Sequence, residues 1–379
     1  MSELPFKTAT VHPDTAPYPA GATKCLTVLS RLLFNLRNGP DADQRDDPTN
    51  VFDVHPEELP KLLALADAHH IPIRALQPLQ LMMTVASKHE LAEWAANAIE
   101  SERRRIENAL SFLDQICHTL ETEGCEVMVI KSLDHWPDLG SDLDLFTSAQ
   151  PGEVIHVMNQ HFNSSLAPRS WGDRLANKWN FILPGLPELV EVHIGRLGQT
   201  GEQTTIANSL LRRGRLLVFG THTVRVPAPE DRLIVATLQR MYRHFYLRLC
   251  DIADTARLSE HDTVDYIYLR SAAEAAGIWK GVATLLAIVS DYIKHYRGFG
   301  LDLPSFVGSA AQFGGDQLIF RRFLRIPILP HSVRLYTSQL RSLALRGELE
   351  GTFRLSLLPC LATAAIVEQK LTGTDKGIW

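Results

Sequence analysis

Cysteine is scarce in this 379-residue chain: Cys25, Cys117, Cys125, Cys250 and Cys360, an odd set with no C-x-x-C pair. A reduced, cytoplasmic setting, in which each thiol packs as a small apolar group, fits this better than a disulfide framework. Long apolar runs are missing too. The most apolar late stretch, 355–367, is too short to cross a bilayer and lies between Arg354 and Glu368, so no membrane span is expected. The first 23 residues hold Glu3, Lys7 and several prolines and do not read as a signal peptide. The net charge of −5 removes the overall basic signature of nucleic-acid binders and leaves room only for a local basic face. There is no phosphate-binding G-x-x-x-x-G-K-S/T, no G-x-G-x-x-G after a strand and no G-x-S-x-G elbow. His69-His70 has no companion at zinc-ligand spacing, and Asp138–Asp144 lacks the glycine and distal glutamate of a calcium loop. No internal repeat or low-complexity tract is present. What remains, 45% apolar and 21% charged residues, is a globular composition.

Periodicity divides the chain. Residues 1–20 read as an irregular tail and 38–50 (NGPDADQRDDPTN) as a polar linker. Spacings of three and four predict helices over 24–36, 56–68, 81–99 and 103–123, a helical region covering 21–123. From 124 to 227 the pattern turns strand-like: 125–130, 142–147, 178–183 and 189–194, the last two joined as a hairpin by Pro184-Gly185-Leu186-Pro187, then 216–219 and 222–226 around Gly220, with one helix at 151–162. Beyond 228 the pattern is helical again. Ala228 caps a helix with Pro229 at its first position, and helices follow over 232–257, 263–276, 279–296, 331–345 and 349–371, with a loop at 297–315. The fold class is α+β: a small mixed sheet flanked by helical N- and C-terminal regions.

The most informative stretch is Gly140-Ser141-Asp142-Leu143-Asp144-Leu145-Phe146. On a strand, residues i and i+2 share a face, so both carboxylates project together while Leu143 and Leu145 turn into a core. Two like charges on a half-buried strand call for a cation. Mg²⁺ (or Mn²⁺) is the simplest, a hard ion that takes carboxylate and phosphate oxygens together. Glu191 in Leu189-Val190-Glu191-Val192-His193-Ile194 offers a third carboxylate, and an antiparallel neighbour strand would bring it across from Asp142 and Asp144. Three carboxylates suffice to hold one or two metal ions, which would set an acceptor hydroxyl in line with an α-phosphorus; alternatively Glu191 is the general base for that hydroxyl. Gly140 and Ser141 would add a backbone N–H and a hydroxyl for phosphate. The competing reading of an isolated D-x-D is a solvated turn.

Other residues carry two readings each. Lys131 is a triphosphate contact or a surface lysine at a strand end. His193 orients Glu191, donates to substrate, or is a strand histidine satisfied by backbone. Lys178, with Arg169 and Arg174 beside Trp171 and Trp179, grips phosphate or an acidic acceptor, or is solvated. Trp136 stacks on a base or caps the core. Arg240, Arg243 and His244 share one helical face that binds a triphosphate tail or meets solvent. Arg212-Arg213-Gly214-Arg215 is a nucleic-acid contact or a solubilising turn. Asp251 and Asp254 read as helix salt-bridge partners, and Arg103-Arg104-Arg105 as solvated.

The run from Val127 to Phe146 resembles the first motif of the nucleotidyltransferase superfamily with a DNA polymerase β-like fold: a strand, a small residue, a short helix, then Ser-Asp-x-Asp on the next strand. Here Ile130-Lys131-Ser132 is followed, after nine intervening residues, by Asp142-x-Asp144. It is similar more closely to the bacterial nucleotidyltransferase family 5 branch. That branch joins an l-K-G turn (Lys131), a Trp/Tyr-Pro pair (Trp136-Pro137), a D-x-D-L run (Asp142 to Leu145) and an E-x-H strand (Glu191-Val192-His193). Its P-x-x-E/D helix start and H…R-L…D-L pattern fit 227–231, His244, Arg248-Leu249 and Asp251–Asp254 loosely. The resemblance covers about residues 105–260. It implies Mg²⁺-dependent transfer of a nucleoside monophosphate from an NTP with release of pyrophosphate, Asp142, Asp144 and Glu191 as metal ligands, and Lys131, Ser132, Gly140, Ser141, His193, Lys178, Arg240 and His244 around the nucleotide. Ser132 departs from the branch's glycine.

The reading is therefore a nucleotidyltransferase-fold catalytic domain at 124–227 between helical regions 21–123 and 228–379. The acceptor is a hydroxyl or phosphate on a small molecule, a peptide or a protein; an RNA end is disfavoured by the net acidity. Rivals are a transferase using a sugar-nucleotide donor in peptide or natural-product tailoring, and a non-catalytic nucleotide-binding module. A second enzyme rival, a two-carboxylate hydrolase, is disfavoured, because carboxylates two apart on one strand sit side by side rather than flanking a bond. No oligomeric state is read from the sequence.

Overall fold

The computed structural model describes residues 20–34, 56–219, 222–261, 263–361 and 363. The expected tail before residue 20, the linker at 38–50, the turn at Gly220 and the last part of the helix expected at 349–371 lie outside them.

Helices α1 (Ala20–Phe34), α2 (Leu59–Ala68) and α3 (Pro72–Val85) precede a 34-residue helix α4 (His89–Thr122). The helix expected over 81–99 is broken, because Ser87 takes a left-handed φ of 56°. Helix α4 then runs uninterrupted through Arg103–Arg105, where Glu100–Arg104 and Glu102–Arg105 pair along its face.

The sheet begins with β1 (Val127–Val129) and, after a 3-10 turn at Ser132–His135, β2 (Asp142–Thr147). Helix α5 (Pro151–Phe162), β3 (Ser165–Leu166), α6 (Trp171–Leu175), β4 (Lys178–Ile182) and β5 (Leu189–Ile194) follow. Strand order is β1-β2-β5-β4-β3. The 184–187 turn makes β4 and β5 an antiparallel hairpin, as expected, but β5 lies parallel to β2. This corrects the expected antiparallel meeting of Glu191 with the aspartates. The connection from β2 already reverses the chain once through β3 and β4, so β5 arrives running the same way as β2. Leu143, Leu145, Val190 and Val192 are fully buried beneath the sheet with Leu113, Ile116 and Leu120 of α4. Helix α7 (Thr204–Leu210) and the hairpin β6 (Arg215–Phe219) and β7 (His222–Val226) complete this part.

Ala228 caps α8 (Pro229–Gln239) with Pro229 at its first position. The helix expected over 232–257 is interrupted after Gln239: Arg240–His244 forms a wide π turn, Phe245 is left-handed, and β8 (Tyr246–Leu247) leads to α9 (Leu249–His261). Helices α10 (Tyr266–Ala275), α11 (Trp279–Arg297) and α12 (Ser305–Ala310), strands β9 (Ile319–Phe320) and β10 (Leu324–Arg325), and helices α13 (Val333–Leu345) and α14 (Leu349–Ser356) close the described chain. Strands β8, β10 and β9 form a small antiparallel sheet. A second core joins the two helical regions: Leu29 and Leu76 from the N-terminal helices pack in one cluster with Leu233, Ile252 and Leu286 from the C-terminal ones. No described helix is long and apolar enough to cross a membrane.

Candidate active site

The alternation of β2 and β5 sets the site. With Leu143 and Leu145 buried, Asp142 and Asp144 rise on the opposite face. Asp144 is the direct cross-strand partner of Glu191, and Phe146 that of His193. On the far side of β5, Lys178 faces His193. The turn after β1 brings Lys131 over the same face, with φ of 66°. Ser132 fixes that turn: its hydroxyl accepts the Asp144 N–H at 2.7 Å and donates to the Asp142 carbonyl at 3.3 Å. Ser132 is buried and spent on strand geometry, which corrects its expected place against a nucleotide.

The acids are crowded by cations. Lys131 Nζ lies 2.5 Å from Asp144 Oδ1 and 3.7 Å from Glu191 Oε1. Lys178 Nζ lies 2.7 Å from Glu191 Oε2 and 2.9 Å from Asp173 Oδ1. His193 Nε2 lies 2.8 Å from Glu191 Oε1 and 3.8 Å from Asp144 Oδ1, while its Nδ1 is buried without a partner. Burial pushes the Glu191 carboxyl up, but the Lys131 charge, the His193 hydrogen bond and Lys178 outweigh it and hold it well below the carboxylate range. A carboxylate so stabilised stays ionised at neutral pH. Asp142 behaves oppositely: burial first, then the charges of Asp144 and Glu191, raise it to about 6.

Asp144, Glu191 and His193 offer ligand atoms within 4.8 Å of one another. This donor set, with Asp142 beside it, fits a divalent cation in chemistry: two carboxylates and an imidazole gathered where Lys131 already supplies a positive charge. A second cluster, His135, Cys250 and Asp254, is a structural knot. His135 Nδ1 lies 2.5 Å from Asp254 Oδ2, Arg74 Nη1 gives the same carboxylate a cation at 2.6 Å, and Cys250 is fully buried.

The remaining expected residues are placed as follows. Lys178 reaches the site but is buried between Glu191 and Asp173, where it orients Glu191. Arg240 is corrected: it is 2% exposed, bound at 2.8 Å to Asp251, and lies on a turn rather than on an open helix face. His244 is half-buried among Arg243, Arg240, Arg248 and Lys131, and burial followed by those charges keeps it neutral. Gly140 and Ser141 line a cleft of about 540 Å³. The glycine is required there by packing, since a Cβ would lie 2.8 Å from His70 Nδ1. Arg105, expected in solvent, pairs with Glu102 and Glu188 and donates to the carbonyls of Leu139 and Gly140. Arg213 of the basic loop is tied to Glu230 and Asp231 and stacked on Tyr268. Asp251 and Asp254 are salt-bridge partners, as expected. Four cysteines are buried; Cys360 is exposed. Sequence reasoning missed Asp173, although its position three residues after Ser170 signals a capping box that fixes it, and it missed Phe323 and Arg322, which have no local signal.

In comparison with known proteins, no family model, no curated protein and no solved structure matches the chain.

Proposed function

We propose that this chain is a Mg²⁺-dependent nucleotidyltransferase that moves a nucleoside monophosphate from an NTP to a hydroxyl or phosphate of a small-molecule, peptide or protein acceptor, with release of pyrophosphate. The observation that carries the reading is the convergence of Asp142, Asp144 and Glu191 on one face of two parallel strands, beside a cleft that begins at Gly140-Ser141. Asp144, Glu191 and His193 would hold the cation, which when bound supplies charge neutralisation for the phosphate oxygens at the reacting phosphorus. The acceptor oxygen bonds to the α-phosphorus as the bond to the bridging oxygen breaks, and pyrophosphate leaves. Asp142, raised to about 6 by burial and the neighbouring acids, is suited to take the acceptor proton. Lys131, once displaced from Asp144 by the cation, would offset charge on the departing phosphates. Lys178 holds Glu191 in place throughout.

A second reading is favoured by one observation: Lys131 already neutralises Asp144 and Glu191 from within. A chain so balanced can fold without a metal and hold a nucleotide without transferring it. Calorimetric titration of the four NTPs, with and without Mg²⁺, on the wild type and on the double variant Asp142→Asn/Asp144→Asn tests both. Metal-dependent binding of one NTP, lost in the double variant, supports the transferase. Binding unchanged by Mg²⁺ and by the double variant, with no pyrophosphate released from any NTP by the folded wild type in Mg²⁺ and cell extract, supports the non-catalytic module.

A further inference from the structure

The cleft beyond Ser141 has a second wall made by two segments distant in sequence. Tyr246 and Arg248 come from β8 and the residue just after it, and Arg322 and Phe323 from the turn between β9 and β10. The Tyr246 and Phe323 rings stack at 4.7 Å with an interplanar angle of 22°. Four guanidinium groups surround this pair. Arg325 lies 4.9 Å from the Tyr246 ring, Arg248 5.7 Å and Arg240 5.5 Å, and Arg322 lies 5.5 Å from the Phe323 ring. Arg240 is spent on Asp251. Among the described residues no carboxylate lies within ion-pair distance of Arg248, Arg322 or Arg325, and the buried Arg248 Nε has no hydrogen-bond partner.

The acids of the cleft do not balance this wall. Glu188 is bound to Arg105, and Asp67, which also lines the cleft, is exposed to solvent. Cation–π contact offsets only part of the repulsion among guanidinium groups held this close. The wall is also built rather than incidental. His69, buried and held down near 4 by burial, accepts the Leu249 N–H at 2.9 Å and donates to the Arg322 carbonyl at 2.7 Å, clamping the two segments together. Planar guanidinium forks converging from two segments match an anion with several oxygens on one centre, which is phosphate. The volume suits a polyphosphate or a nucleotide.

We infer that the cleft between Ser141 and the Arg248–Arg322 wall binds a di- or triphosphate group through arginine alone, without a divalent cation. Which substrate carries that group rests on the transferase reading; the binding itself does not. The test is calorimetric titration of inorganic pyrophosphate and tripolyphosphate in EDTA, on the wild type, on Arg322→Gln, on Arg248→Gln/Arg322→Gln and on Asp144→Asn. The expected result is binding by the wild type and by Asp144→Asn. It weakens about tenfold in Arg322→Gln, whose exposed side chain can change without loss of the fold, and further in the double variant. Competition between pyrophosphate and ATP–Mg²⁺ for one site assigns the group to the donor, and simultaneous binding assigns it to the acceptor. No binding by the wild type, or equal binding by the folded Arg322→Gln protein, overturns the inference. Neither of those results touches the role of Asp142 and Asp144, which the Mg²⁺-dependent titration reads separately.

Discussion

Replacing Lys131 by methionine separates the internal cation from an added one. Its Nζ lies 2.5 Å from Asp144 Oδ1 and its side chain is 11% exposed. Glu191 keeps Lys178 at 2.7 Å and His193 at 2.8 Å, so the loss falls on Asp144, whose next neighbour is the His193 ring at 3.8 Å. Removing one partner of a buried pair costs about 3–5 kcal/mol. Asp144 retains some solvent and methionine retains the aliphatic packing, so about 2–3 kcal/mol is expected here. An unfolding entropy of about 2.1 cal/mol/K per residue, summed over the 379 residues as one cooperative unit, makes 1 kcal/mol worth about 1 °C. Lys131→Met should therefore melt about 2–4 °C below the wild type in EDTA. Mg²⁺ at about a hundred times its Kd returns about 2.7 kcal/mol and closes that gap. The wild type gains less, because Lys131 must first be displaced. The assay is thermal unfolding followed by near-UV circular dichroism with and without Mg²⁺. An unchanged melting temperature in EDTA, or a variant that Mg²⁺ does not stabilise, refutes the reasoning.

Asp142→Asn should raise the stability of the metal-free protein at pH 7.5 by about 2 kcal/mol. The native carboxyl, near 6, lies above the unfolded value, so its contribution is full below about pH 4 and lost as pH rises through 6; urea unfolding from pH 4 to 8 reads the flatter curve. His69→Ala should cost about 2–3 kcal/mol, because the Leu249 N–H and Arg322 carbonyl lose their partner. The His69 ring is depressed to about 4, so its contribution is present above about pH 6.5 and lost as pH falls through 4; the variant should lack that part of the acid loss in the same urea series. Arg240→Leu leaves the buried Asp251 with only the Arg248 N–H and should cost about 3–5 kcal/mol by denaturant unfolding. Gly140→Ala should displace His70 and narrow the cleft, weakening pyrophosphate binding while the fold, read by circular dichroism, stays intact.

Alternation made the paired aspartates and the E-x-H strand legible, because Leu143, Leu145, Val190 and Val192 demand a buried face and leave Asp142, Asp144, Glu191 and His193 to share the other. The parallel pairing of β2 with β5 was not legible, since it depends on the two-residue strand β3 and the five-residue helix α6, both too short to show a period. The neutralising lysines were half legible. Once the β4–β5 hairpin is accepted, its register puts Lys178 opposite His193, whereas the left-handed turn at Lys131 has no sequence signal beyond the residue itself. The spacing of Arg240, Arg243 and His244 imitates a helix face, and the π turn that breaks it follows from tertiary packing around Arg240 and Asp251. The arginine wall is invisible in one dimension, because Tyr246 and Phe323 meet only through the small sheet of β8 and β10.

The central claim is transfer of a nucleoside monophosphate. Incubation of the protein and Mg²⁺ with cell extract and an NTP labelled at either the α- or the γ-phosphorus tests it most directly. The account predicts that only the α label becomes covalently attached to an acceptor, that pyrophosphate is released in equal amount, and that Asp142→Asn/Asp144→Asn abolishes both. Attachment of the γ label alone, or no attachment from any of the four NTPs by the folded wild type, contradicts it.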